Sequence, residues 1–446
     1  MLPKINKKGR VPALMGAMVL IFVIIQLKSF SVTRSLTIKF KTIVPTTSHT
    51  ENINLKKFKP PDVPVRSVED LRSQLAKQFP YNPLEPIPRR VWQTWKCPLD
   101  SPEFPAKARK YAQEWIQSIK HSMGYDYALV PDDRIMPLLQ NIYGGVPQVI
   151  QAFEALPLPI LKADFFRYLI LYARGGIYSD LDTVPLKTLT DWPSVNGASW
   201  LVAETPIKYK NFKATDSQVA QEPGFVIGIE ADPDRPDWNE HYARRIQFCQ
   251  WTIQSKPGHP LLRELILNIT ATTLGSTVAR GKYPAPKFEF PKEIPLQDYS
   301  INCRDKKLND AQFSCNEKKT PKNTDHADIM NWTGPGAFSD AVMAYLNNLI
   351  HTNDDILIIN NNMKGDSSDD SSTTKKFYRK ITEGLQAGNF FQWEFFTLIK
   401  EPVVVDDVMV LPITSFSPDV GHMGSGSSTD EIALVKHMFE GSWKGE

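Results

Sequence analysis

The segment PILKADFFRYLILYARGGIYSDLDTVP, Pro159 to Pro185, constrains the chain more than any other stretch. Proline suits a first helical turn, where its missing N–H costs nothing. Apolar residues then continue to about Ala173, so the spacing predicts a helix from Pro159 that Gly175-Gly176 ends. GIYSDLDTVPL is too short for a helix and predicts a strand closing at Pro185. Within this apolar frame sit four charges: Asp164, Arg167, Asp180 and Asp182. Side chains alternate along a strand, so Asp180 and Asp182 are expected to point the same way. A strand ending near Asp182 would bring both out at the carboxyl edge of a sheet, where open α/β sheets bind ligands. Two hard oxygen ligands suit Mg²⁺ or Mn²⁺ completed by water and phosphate oxygens. An acid/base pair and a simple turn cap are the alternatives. Asp164 and Arg167 share one helix face and can pair. Phe165, Phe166, Tyr168, Leu169, Ile170 and Leu171 surround them, and charges in such company need a ligand or each other.

The flanking sequence sets this segment in a repeating pattern. IPRRVWQTWK predicts a first strand, KARKYAQEWIQSI a helix, YDYALV a strand ending at Pro131, and DDRIMPLLQNIYG a helix closed by Gly144. Strand and helix alternate as in an α/β sheet covered on both faces. PGFVIGIEA predicts a further buried strand and HPLLRELILNITATTL an amphipathic helix. PVVVDDVMVLPITSF predicts two short strands around Asp406-Asp407; those carboxylates could serve the acceptor or metal side, or merely form a tight turn. With 52 Lys plus Arg against 49 Asp plus Glu and no basic stripe, the composition excludes bulk electrostatic attraction to nucleic acid.

The amino-terminal region has another character. Lys4, Lys7, Lys8 and Arg10 precede the uncharged run Val11 to Leu27, at the short end of what spans a bilayer. A cleaved signal peptide has a shorter apolar core and a small-residue cleavage site, so an uncleaved signal anchor is expected at 11–27. Basic residues keep 1–10 cytosolic. Residues 28–84 are expected to form a polar stem, and 85–446 a lumenal body. Asn268-Ile-Thr270 and Asn331-Trp-Thr333 match the N-glycosylation pattern, in keeping with a secretory compartment. Cys97, Cys249, Cys303 and Cys315 lack zinc-site spacing, and Cys303 and Cys315 are close enough to close a local loop. MKGDSSDDSSTTKK, 363–376, is expected to be a mobile acidic surface loop without chemistry.

ADFFRYLILYARGGIYSDLDT resembles the D-x-x-R-x-x-x-L-x-x-x-G-G-x-Y-x-D-x-D block of DXD-containing retaining glycosyltransferases. That group includes the fungal Golgi mannosyltransferases, the sphingolipid mannosyltransferases and, more distantly, the clostridial glucosylating toxins. IPRRVWQTWK, NWTGPGAFSD and KHMFEGSWK extend the likeness to the fungal Golgi mannosyltransferases over roughly Phe79 to Lys444. The resemblance implies a GT-A-type, Rossmann-like nucleotide-sugar-binding domain with a mostly parallel central sheet behind a membrane anchor and stem. It implies catalytic roles for Asp164, Arg167, Asp180 and Asp182. Donor contacts would come from Thr94, Trp95 (stacked on the base), Asp164, Arg167, Asp180, Ser442 and Trp443. Asp180, Asp182 and His437 would hold Mn²⁺ or Mg²⁺, with His422 a weaker rival to His437. Gly175 and Gly176 are structural on this reading, and Tyr178 a packing residue. KPGHP and ARRIQFCQW are expected to border the acceptor, through one or more of Arg244, Arg245, Trp251 and His259.

The function implied is transfer of mannose from GDP-mannose to the N-linked core oligosaccharide of glycoproteins. The linkage would be α-1,6, initiating the outer chain with retention of configuration, by front-face attack or double displacement. The resemblance places the enzyme in the Golgi or late ER membrane as a single-pass type II protein, in possible complex with other mannosyltransferases. Mannosyl transfer to inositol-phosphoceramide and a non-catalytic role in a transferase complex are the alternatives.

Overall fold

The alternation predicted between Arg90 and Ser179 is realised in full. In the computed structural model, helix α1 (Val68–Gln78) precedes strand β1 (Arg90–Trp95) and helix α2 (Ala106–His121). Strand β2 (Asp126–Pro131) and helices α3 (Asp132–Tyr143) and α4 (Pro147–Ala155) follow. Helix α5 (Pro159–Arg174) then leads into strand β3 (Gly176–Ser179). The structure describes residues 68–195, 207–208, 223–233, 235–238, 241–275, 329–352, 357–359, 391 and 393–441. The expected span at 11–27, the stem before residue 68, Cys303, Cys315, the loop 363–376, Ser442 and Trp443 lie outside them. Among the described residues no helix is long and apolar enough to cross a membrane.

Strand β4 (Thr183–Pro185) is followed by β5 (Ile207–Lys208), β6 (Phe225–Ala231), β7 (Gln247–Phe248) and β8 (Thr252–Ser255). Helices α6 (Pro260–Gly275) and α7 (Pro335–Thr352) come next. The chain ends with β9 (Leu357–Ile359), β10 (Val403–Val405), β11 (Val408–Leu411) and β12 (Val435–His437). The main sheet has the order β2-β1-β3-β8-β6-β11-β10-β9-β5, with β7 also on β6. β2, β1 and β3 are parallel, as are β6 and β11. β8 runs against both β3 and β6, so these two point the same way across it. From β2 to β11 the central sheet is thus mostly parallel in strand direction, with β8 reversed at its middle; β7, β10 and β5 are reversed as well.

Helix α5 is buried on nearly all sides, which explains its lack of a polar stripe. It packs against α6 and the sheet. The two glycines at its end are a steric requirement: Gly176 has φ 103°, and a Cβ there would stand 2.5 Å from the Arg90 carbonyl oxygen. Gly175 is as tightly enclosed, and its carbonyl accepts the Trp92 indole N–H at 2.9 Å.

Two expectations need correction. The predicted strand through Pro185 breaks after Ser179, because Thr183–Pro185 leaves the main sheet and pairs antiparallel with β12. Asp180 and Asp182 therefore occupy a turn, and pleat alternation is not what orients them. The folded body also begins before Glu85. Helix α1 buries Leu71 and Leu75 completely, Phe79 just after it is almost as buried, and Arg72 pairs with Glu264 on α6 at 3.1 Å. Its apolar positions are too sparse to mark it in sequence, but they match a face of α6.

Leu75→Ala is expected to lower stability by about 2–5 kcal/mol, the range for emptying a buried leucine site. Leu84→Ala, at a side chain 67% exposed, should fall within about 0.5 kcal/mol of wild type. Chemical denaturation of both variants checks the boundary; equal effects would return α1 to the stem.

Candidate functional site

The carboxyl ends of β1 and β3 lie at one edge of the sheet, and the candidate site is built there. Arg167, 2% exposed, reaches out of α5 with its Nη2 3.1 Å from Asp164 Oδ1 and 3.1 Å from Asp180 Oδ1. Its guanidinium lies over the Tyr178 ring at 5.2 Å. Nη2 alone serves both carboxylates; Nε and Nη1 are buried without a hydrogen-bond partner. One arginine thus ties the buried helix to the turn after β3.

Asp164 is held from every side. Its Oδ2 accepts the Thr333 hydroxyl at 3.1 Å, and its Oδ1 accepts the Gln250 amide at 3.4 Å. The Tyr168 hydroxyl sits between Gln250 Oε1 and the Thr333 carbonyl, either of which it can donate to. Burial pushes the Asp164 carboxyl up to about 7, against the pull of Arg167. Burial also raises Asp180, opposed by Arg167 and reinforced by the charge of Asp182. At Asp182 burial acts upward too, but the hydrogen bond and charge of His437 and the Glu440 backbone N–H outweigh it and hold the carboxyl low.

A carboxy-terminal strap closes this turn. Met438 N–H donates to the Asp182 carbonyl at 2.8 Å and Glu440 N–H to Asp182 Oδ2 at 3.1 Å. His437 Nε2 stands 3.3 Å from Asp182 Oδ1, and its ring stacks on Trp251 at 4.5 Å. The Glu440 carboxylate latches the strap to α2 through the Tyr111 hydroxyl at 2.7 Å and the Lys107 ammonium at 2.8 Å. Asp180, Asp182 and His437 each present one ligand atom, all within 4.8 Å of one another. Two carboxylates and an imidazole fit a divalent cation that keeps open positions for water and phosphate oxygens. His422 is exposed and outside this group.

Trp95, half-buried at the end of β1, lies against Phe104 at 5.9 Å, and Thr94 Oγ1 is 3.1 Å from the Tyr178 hydroxyl. Tyr178 is a packing residue, as expected, 1% exposed. Other expected contributors are elsewhere. Asp406 and Asp407 form the turn between β10 and β11, at the edge where β6 and β11 begin. Asp407 there accepts the Tyr81 hydroxyl and faces His259 Nε2 at 3.3 Å. Arg244 is buried against Asp340, and Arg245 against Asp232 and the Trp393 ring. His259 is wholly buried. Arg244, Arg245 and His259, three of the four residues of the expected acceptor border, are occupied within the protein, because Arg and His in apolar surroundings found carboxylates or rings as partners. Trp251 does reach the site, beneath His437. Thr333, Gln250, Tyr168, Glu230 and Glu440 went unsingled in sequence. Each lay inside a segment the sequence had marked: Thr333 in NWTGPGAFSD, Gln250 in ARRIQFCQW, Tyr168 in ADFFRYLILYARGGIYSDLDT, Glu440 in KHMFEGSWK and Glu230 in PGFVIGIEA.

The sequence pattern described as "Glycosyltransferase sugar-binding region containing DXD motif" matches residues 105–198. The chain is 52% identical over 431 residues to the initiation-specific alpha-1,6-mannosyltransferase of Saccharomyces cerevisiae, covering 91% of this chain and 88% of that one. It is 41% identical over 391 residues to the protein of the same name from Candida albicans, covering 88% and 80%. Inositol phosphoceramide mannosyltransferase 3 of Schizosaccharomyces pombe is 30% identical over 129 residues, 28% of this chain and 32% of that one.

Removing the guanidinium leaves Asp164 as a buried charge without its counter-ion. Arg167→Met is expected to cost about 3–5 kcal/mol of stability at pH 8. Asp164 holds its proton to about pH 7 when folded, higher than in the unfolded chain, so its ionisation weakens the fold as pH rises through that window. The penalty in Arg167→Met should therefore shrink at pH 5. Denaturant titrations at the two pH values check this; a pH-independent loss would detach it from Asp164.

Proposed function

The chain belongs to the initiation-specific α-1,6-mannosyltransferase family and is a glycosyltransferase, and from that premise we propose that GDP-mannose is its donor and the N-linked core oligosaccharide of glycoproteins its acceptor. The observation that carries this reading is the convergence of Asp180, Asp182 and His437 beside the Asp164–Arg167 pair at one sheet edge. The expected GT-A-type domain accords with a donor seated over the carboxyl ends of β1 and β3. Trp95 would meet the base there, with Thr94, Ser442 and Trp443 as further donor contacts.

Asp180, Asp182 and His437 would hold the divalent ion, Mn²⁺ on this reading with Mg²⁺ able to replace it. When bound, such an ion neutralises charge on the departing diphosphate. Arg167 would orient the donor from beneath by holding the Asp164 and Asp180 carboxylates in place; its Nε and Nη1 are buried, and sugar or phosphate oxygens would reach them only if the site opens. Asp164, held by Thr333, Gln250 and Arg167, fixes that guanidinium and accepts sugar hydroxyls. Both Asp164 and Asp180 are engaged by Arg167, so neither is free as a nucleophile. That supports retention by front-face attack, in which a phosphate oxygen of the leaving GDP takes the acceptor hydroxyl proton.

The basic residues ahead of the uncharged run 11–27 support a type II Golgi membrane protein with a lumenal catalytic body. The enzyme would meet its glycoprotein acceptors there, alongside other mannosyltransferases. The lipid-acceptor alternative rests on similarity over 28% of the chain and not on the whole of it. A complete ligand set argues against a silent complex subunit.

Asp182→Ala is expected to fold, since the side chain is part-exposed in a turn, and to lose transfer by about 10³-fold, several kcal/mol of leaving-group stabilisation. A transfer assay with GDP-mannose, Mn²⁺ and a mannose-rich N-glycan, with and without chelator, checks it. Full activity in chelator would remove the metal from the reading.

A further inference from the structure

One carboxylate at the same sheet edge has no part in the donor site. Glu230 is the penultimate residue of β6 and half-buried. Opposite β7, Ile229 pairs with Phe248 and Ala231 with Gln247, so Glu230 is the extra residue of a β-bulge. Bulges bend a strand locally and re-aim a side chain, and they recur beside active sites. Its Oε2 accepts the Gln247 amide N–H at 3.0 Å. Gln247 is 2% exposed and its own Oε1 accepts the Ala243 N–H at 3.0 Å, so the amide is held in that orientation. Glu230 Oε1 has no hydrogen-bond partner among the described residues.

Position defines what this oxygen can meet. β3 and β6 run in one direction on either side of β8. Asp180 N–H donates to the Trp251 carbonyl and Cys249 N–H to the Gly228 carbonyl, so the segment entering β8 lies between the Asp180 and Glu230 backbones. Two inter-strand spacings separate those backbones by roughly 10 Å with the Cys249–Trp251 segment between them, so a ligand that met both would lie over that segment. Glu230 is within electrostatic reach of His437, Arg167 and Asp180, while burial pushes its carboxyl upward. An ionised carboxylate only accepts hydrogen bonds, and beside a diphosphate it would be repelled. A neutral, hydroxyl-rich ligand fits it.

We infer that Glu230 binds the acceptor, its free carboxylate oxygen taking a hydrogen bond from an acceptor sugar hydroxyl on the side of the site away from Asp182. The inference rests on the proposed transfer from GDP-mannose to a mannose-rich glycan. It is tested with the full chain and Glu230→Gln and Glu230→Asp variants, using GDP-mannose, Mn²⁺ and a mannose-rich N-glycan. Loss of a charged hydrogen bond should raise the acceptor KM about tenfold or more in Glu230→Gln. Glu230→Asp, which keeps the charge but draws it back, should give a smaller rise. The GDP-mannose KM should stay within about twofold, which also reports an intact fold. An unchanged acceptor KM would overturn the inference, as would a rise confined to GDP-mannose. A fall in kcat with acceptor KM unchanged would overturn it too, making Glu230 a reacting group. An inactive wild type would count against the proposed reaction and leave the Glu230 variants without a rate to compare, so the two failures are distinct.

Discussion

Arg167 is the fixed point of the site. It leaves a helix buried on nearly all sides and binds two carboxylates that belong to different elements, Asp164 on α5 and Asp180 in the turn after β3. The turn carries Asp182, Asp182 receives two backbone N–H groups and the imidazole of the strap 437–440, and the strap is tied by Glu440 to α2. Each link takes its position from the one before. The sum of charge is unbalanced: three carboxylates gather around one guanidinium and one imidazole. Like charges in partly buried ground raise one another's proton affinity, as they do at Asp180. A divalent cation between Asp180, Asp182 and His437 would relieve that repulsion, so the protein's own electrostatics favour a cation at this place.

The same arrangement explains why so polar a cluster is tolerated in the core. Asp164 is 1% exposed, and an isolated ion there would be untenable. Its oxygens are met by Arg167, Thr333 and Gln250, and Gln250 is itself oriented by Tyr168. The contacts to the Asp164 carboxylate fix one geometry, because any member that moves leaves that buried oxygen unpaired, whereas the Arg167 Nε and Nη1 donors have no partner among the described residues.

What could be read in sequence follows from how local its cause is. The helix from Pro159, its arrest at Gly175-Gly176 and the i,i+3 pairing of Asp164 with Arg167 are local, and all are present. So is the tight turn at Asp406-Asp407. The break after Ser179 is not local: Thr183–Pro185 pairs with Val435–His437, far along the chain, and nothing near Thr183 announces that partner. Helix α1 failed to declare itself for the same reason, since Leu71 and Leu75 acquire meaning only against α6. Arg244, Arg245 and His259 had the residue types of a sugar cleft but are consumed by Asp340, Asp232 and Asp407. Residue type marks what a side chain can do, and the fold decides whether a partner already occupies it.

The reversed strand β8 has a consequence for the site as a whole. In an all-parallel sheet, every strand beginning lies at the edge opposite the strand ends. With β8 turned around, its beginning shares an edge with the ends of β3 and β6. Gln250 and Trp251, just ahead of β8, thereby arrive among residues that just follow β3. One supports Asp164 and the other lies under His437. The strand order separately sets β6 two strands from β3, with β8 between them. On the proposed reading a donor over β1 and β3 and an acceptor reaching in from β6 would meet above the Gln250–Trp251 segment, which the reversal of β8 brings to that edge.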